Sequence, residues 1–98
     1  MSLKVSPRER ASLKARAHSL EPVVQIGQSG VTAQLVREVD RALRAHELIK
    51  VKVIAADRDE REEICDDIAA RTGAAAVQRV GKVLVLWRPN PDEDDAAG

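Results

Sequence analysis

A chain of 98 residues makes one small domain, long enough for a single hydrophobic core. Its lone cysteine, Cys65, excludes a disulfide framework and a Cys-rich zinc site, and no stretch approaches the ~20 apolar residues of a membrane span. The formal charge is zero but uneven: residues 1–52 hold 10 Lys/Arg against 5 Asp/Glu, and residues 53–98 hold 6 against 11. Such a split points to a polyanion-binding face or an acidic tail. No secretory signal pattern opens the chain, so the cytoplasm is the expected location.

Ser6-Pro7-Arg8-Glu9 starts a helix. Ser6 caps, Pro7 suits the first helical position and Glu9 completes a capping box. The helix runs to about Ala17 or His18, with Leu13, Ala17 and Leu20 toward the core. Glu21-Pro22 breaks it, because the residue before proline disfavours helical geometry. Val23-Val24-Gln25-Ile26 is a short, mostly apolar strand, which predicts a central position in the sheet.

The loop Gly27-Gln28-Ser29-Gly30 follows this strand and opens an amphipathic helix. Two glycines allow a tight turn and close approach to a ligand. The helix behind them aims free N–H groups and a partial positive charge at the loop, an arrangement that suits an anion such as phosphate. A steric turn with two glycines has the same spacing, so the motif alone decides nothing. No Gly-Lys-Ser/Thr follows, which rules out a Walker loop, and the spacing is not a dinucleotide fingerprint.

Thr32 caps the second helix, about Ala33 to Ala45, whose buried stripe is Leu35, Val36, Val39 and Leu43. Asp40 and Arg44 pair at i,i+4. Leu48 to Ala55 alternates in its middle and reads as a strand that projects Lys50 and Lys52 to the same side. A third helix starts at Asp57 or Asp59 and ends before Gly73, a C′ residue in left-handed geometry. Ile64, Cys65, Ile68 and Ala69 form its apolar side. From Asp57 to Thr72 it holds seven acids against three arginines, so it is expected to repel phosphate. Ala75–Val80 and Val83–Arg88 are strands joined by a Gly81-Lys82 type II′ turn. Residues 1–5 read as an N-terminal extension, 6–89 as the folded domain and 90–98 as a disordered acidic tail. The order is α-β-α-β-α-β-β around a four-stranded mixed sheet.

No catalytic set emerges. His18 and His46 lie on different elements, Cys65 reads as a buried hydrophobe, and Asp66 and Asp67 diverge around their helix. No metal or cofactor site is expected, and the chain reads as a non-enzyme. Trp87 is the sole aromatic, with no Phe or Tyr, so a sheet that stacks bases on aromatic pairs is not expected. Any RNA contact should run through the backbone phosphates.

Five blocks then carry a resemblance. They are Leu13-Lys14-Ala15-Arg16-Ala17-His18, Pro22-Val23-Val24-Gln25-Ile26-Gly27-Gln28-Ser29-Gly30-Val31-Thr32, His46-Glu47-Leu48-Ile49-Lys50-Val51-Lys52, Thr72-Gly73-Ala74 and Gly81-Lys82-Val83-Leu84-Val85-Leu86-Trp87-Arg88. In this order and spacing they closely resemble the CRM domain in its stand-alone bacterial YhbY-like form. The resemblance implies an α/β domain similar to the C-terminal domain of a bacterial translation initiation factor. It also implies RNA binding through a basic surface that includes the glycine loop, in association with ribosomal RNA of large-subunit precursors. Carried over, the RNA-binding residues are Gly27, Gln28, Ser29, Gly30, Lys14, Lys50 and Lys52. The loop's middle pair has no cation, the tail is acidic where relatives are often basic, and Trp87 stands where relatives often carry another aromatic. A monomer is expected, with no DNA or membrane partner. The alternative reading is a protein-binding adaptor on ribosomal proteins or assembly factors.

Overall fold

The computed structural model describes residues 5–27, 29–54 and 57–90. The elements are α1 (Pro7–Ala17), β1 (Pro22–Ile26), α2 (Ala33–His46), β2 (Leu48–Val53), α3 (Arg58–Thr72), β3 (Ala75–Val80) and β4 (Val83–Trp87). The expected capping box forms: Ser6 Oγ accepts the Glu9 N–H at 3.1 Å, and Glu9 Oε1 accepts the Ser6 N–H at 3.3 Å. Asp57 caps α3 by accepting the Glu60 N–H at 2.8 Å, and Gly73 ends it at φ 68°. At the hairpin Gly81 takes φ 58° while Lys82 keeps an ordinary φ, as a type II′ turn requires.

The sheet order is β1-β2-β4-β3, with β1 parallel to β2 and β4 antiparallel to both its neighbours. β1 is therefore an edge strand, not the central one its apolar run predicts. Only Ile26 of β1 is fully buried, and Val23 is 53% exposed. The hairpin supplies the reason: β4 folds back between β2 and β3, fills the centre and pushes the outer places to β1 and β3.

The sheet separates two packed layers. On one face α2 and α3 bury Leu35, Val39, Leu43, Ile64 and Ile68 against Val51, Val53, Leu84 and Leu86. On the other, α1 seats Leu13 and Ala17 on Leu48, Val77 and Val85. Leu20, expected in the core, lies past the end of α1 and is exposed. Trp87 ends a central strand and packs against the α1 layer.

Two arginines lock these layers. Arg10 donates to the Ala76 and Val77 carbonyls at 3.2 and 2.7 Å, where a bulge in β3 interrupts the ladder. Arg88 donates to Asp40 Oδ1 at 2.8 Å and to the Thr72 carbonyl at 2.7 Å, tying β4 to α2 and to the end of α3. Glu47 holds φ 61°, a region that non-glycine residues rarely adopt. Its carbonyl accepts the Arg88 N–H at 2.9 Å and its carboxylate the Asn90 N–H at 2.6 Å, which secures the turn. The packed unit thus reaches Asn90, and at the other end Val5 packs beneath α1. The acidic run from Asp92 to Asp95 and residues 1–4 lie outside the described residues.

Candidate nucleic-acid interface

The alternation of β2 assembles the basic residues. Ile49, Val51 and Val53 face α2 and α3, so Lys50 and Lys52 must face the side that carries α1. There Lys52 lies beside Gln25 of β1 and Val83 of β4, and Lys50 beside Val85. α1 covers only part of this face. Between its flank and the sheet runs a groove of about 340 Å³ that brings Lys14 and His18 to Lys50, with Gln78 and Val80 opposite. The three lysines expected from sequence thus share one sheet face. α3, which carries six acids, packs on the other.

The loop after β1 stands at the strand end beyond Lys52. The Gly30 N–H donates to the Gly27 carbonyl at 3.1 Å, closing a turn. Gly30 takes φ 74°. Thr32 Oγ1 accepts the Leu35 N–H at 3.1 Å and starts α2. Among the described residues the Ala33 and Gln34 N–H groups have no protein acceptor, as the first turn of a helix leaves them. Ser29 is exposed; Gln28 lies outside the described residues.

The two glycines differ. Gly30 needs its positive φ. Gly27 is exposed, has no positive φ, and a Cβ built on it meets nothing within 4 Å. Among the described residues no contact and no backbone angle requires glycine at position 27. Gly27→Ala is expected to unfold at the parent's temperature or slightly above, since a stiffer unfolded chain stabilises by about 0.4–1 kcal/mol. Gly30→Ala is expected to lose about 1 kcal/mol through backbone strain. Thermal denaturation of the two variants separates these outcomes.

The remaining candidates for chemistry fall to structural roles. Burial pushes the Cys65 thiol above its ordinary range, although Arg79 and Arg61 pull the other way, so it stays protonated at neutral pH. Asp66 and Asp67 diverge as expected, to Arg79 at 3.3 Å and Arg71 at 2.8 Å. His46 ends α2, where a positive charge favours the dipole. Asp40 holds Arg44 at 3.1 Å as the spacing implies, but it also holds Arg88, a partner the spacing does not reveal. Among the described residues no three His, Cys, Asp or Glu side chains gather as a metal site, and no helix is long and apolar enough to cross a membrane.

The model of the CRS1/YhbY (CRM) domain family matches residues 5–88. The chain belongs to this family. A Haemophilus influenzae relative named "RNA-binding protein" is 44% identical over 88 residues, covering 90% of this chain and 89% of that one. A Pseudomonas aeruginosa relative named "Probable RNA-binding protein" is 36% identical over 87 residues, covering 89% and 84%. The solution structure of a hypothetical Staphylococcus aureus protein superposes with a TM-score of 0.79 at 28% identity, covering 89% of this chain and 91% of that one. The CRM architecture, three helices on a four-stranded mixed sheet, is therefore the fold of this chain.

Proposed function

We propose that this CRM domain is a non-enzymatic RNA-binding protein that associates with ribosomal RNA of large-subunit precursors in the cytoplasm as a monomer. The loop Gly27-Gln28-Ser29-Gly30 receives a backbone phosphate on its N–H groups, Ser29 and the start of α2. Lys14, Lys50 and Lys52 hold the neighbouring phosphates. The observation that carries this reading is the gathering of the three lysines on one sheet face, at whose end stands a glycine that no contact or backbone angle among the described residues requires. The names of the relatives support RNA as the partner. Few groups on this face can read base edges, so phosphate contacts dominate and sequence discrimination is weak.

Such binding must weaken steeply with salt, because each neutralised phosphate releases counterions. Replacing Lys50 and Lys52 with Gln is expected to reduce affinity for single-stranded RNA roughly tenfold and to flatten the dependence of log K on log salt by about 1.4, that is 0.7 for each contact. Fluorescence anisotropy at several salt concentrations checks both. An unchanged slope would remove the lysines from the interface. The acidic run 92–95 competes for the same lysines in this reading, so deleting residues 92–98 should raise affinity at low salt and change little at high salt.

The adaptor reading has its own observation. Exposed Leu20 and Val23 line an open groove between the end of α1 and the β1 edge. Binding of a protein there would survive high salt, which phosphate binding would not.

A further inference from the structure

A second basic site lies on the opposite side of the sheet from the three lysines. A cavity of about 230 Å³ opens between the start of α3 and the β3–β4 hairpin. Arg58, Arg61, Arg79 and Lys82 line it, with Glu62 and Cys65. Arg58, Arg61 and Cys65 come together because residues three, four and seven apart share one helix face. Arg79 reaches the cavity from β3 and Lys82 from the turn. α3 as a whole is acidic, but this face of its first turns is not.

The four cations are weakly satisfied. Arg58 faces Glu62 at 3.7 Å and Arg79 faces Asp66 at 3.3 Å, both as exposed pairs that water screens. Arg61 is half-buried, and neither it nor Lys82 has an ion pair among the described residues. Asp59 and Glu60 already offset the positive end of α3, so the pull on an anion comes from the four side chains that line the cavity. The cavity, at several times the ~30 Å³ of a water molecule, admits a phosphate group.

The cavity is tied to the glycine loop through the backbone. The Lys82 carbonyl accepts the Val53 N–H at 2.6 Å, and the next residue, Ile54, donates to the Ile26 carbonyl at 2.8 Å, immediately before Gly27. β1, β2 and the hairpin end side by side, so two strand spacings, about 10 Å, separate loop from turn.

We propose that Arg58, Arg61, Arg79 and Lys82 form a second phosphate site, which takes a phosphate of the same RNA strand as it passes from the lysine face over the strand ends. The site is a claim about phosphate; the source of that phosphate rests on the RNA reading above. The test uses the full chain, isotope-labelled for NMR, titrated separately with inorganic phosphate and with a single-stranded RNA oligonucleotide. Inorganic phosphate is expected to shift the signals of Arg61, Lys82 and Cys65. Arg61→Gln with Lys82→Gln should abolish those shifts and lower RNA affinity at least fivefold at low salt. Glu62→Gln, which frees Arg58, should tighten phosphate binding. A parent protein whose cavity signals respond to neither titrant overturns the site without recourse to any variant. Phosphate shifts with unchanged RNA affinity in the double variant support the site and overturn RNA as its source. Phosphate shifts in a parent that binds no RNA support the site while the proposed function fails.

Discussion

Replacing Gln28 and Ser29 together with Asp is expected to weaken RNA binding at least tenfold, about 1.4 kcal/mol, while leaving the domain folded. The double variant puts two carboxylates where a phosphate is proposed to sit, and like charges at close range repel. The fold tolerates the change for a local reason. Among the described residues of this turn the positive φ belongs to Gly30, and Ser29 is exposed with an ordinary backbone. Acidic groups before α2 even interact favourably with the helix start, by a few tenths of a kcal/mol. Thermal unfolding and RNA affinity should therefore move in opposite directions. Parental affinity for RNA and for large-subunit precursors would reduce the loop to a turn.

Arg88→Ala is expected to cost about 2–3 kcal/mol. The side chain is only 19% exposed, and its guanidinium bridges the Asp40 carboxylate and the Thr72 carbonyl. Its removal strands a helix-terminal carbonyl and leaves Asp40 with the exposed Arg44 alone. For a domain of this size the melting temperature should fall by roughly 10–20 °C. Arg88→Lys keeps the charge but cannot span both acceptors, so it should fall between the two. A melting temperature within a degree or two of the parent's would show that Asp40 and Thr72 are satisfied by water instead. RNA affinity below the melting temperature should not change, because Arg88 lies at the opposite end of the strands from the glycine loop.

Much of the candidate site is legible in the sequence. Lys50 and Lys52 share a face because strand side chains alternate, and that period is local. The loop follows a strand and precedes a capped helix, again within ten residues. The division of labour between the glycines is not legible: the spacing suits a steric turn and a phosphate loop alike, and of the two only Gly30 takes a left-handed φ. Lys14 joins Lys50 by family resemblance alone, since they lie on separate elements and meet through the packing of α1. The arginine cavity is hidden in the sequence because its members run from Arg58 to Lys82 and the segment around them counts as acidic. Only the fold separates one helix face from another.

What the sequence determined by itself is the set of elements and most of their ends: the Ser6 capping box, the Thr32 cap, the Gly73 stop and the Gly81 hairpin turn, with Asp57 and Asp59 both open as the start of α3. Each depends on groups within four positions of one another, so short-range hydrogen bonding and sterics suffice. The tertiary structure decided strand order, the exposure of Leu20, and the clamps by Arg10 and Arg88 across 66 and 48 positions. Those outcomes depend on which faces bury together. Burial is a property of the whole chain, set when β4 takes the centre of the sheet and leaves β1 at its edge.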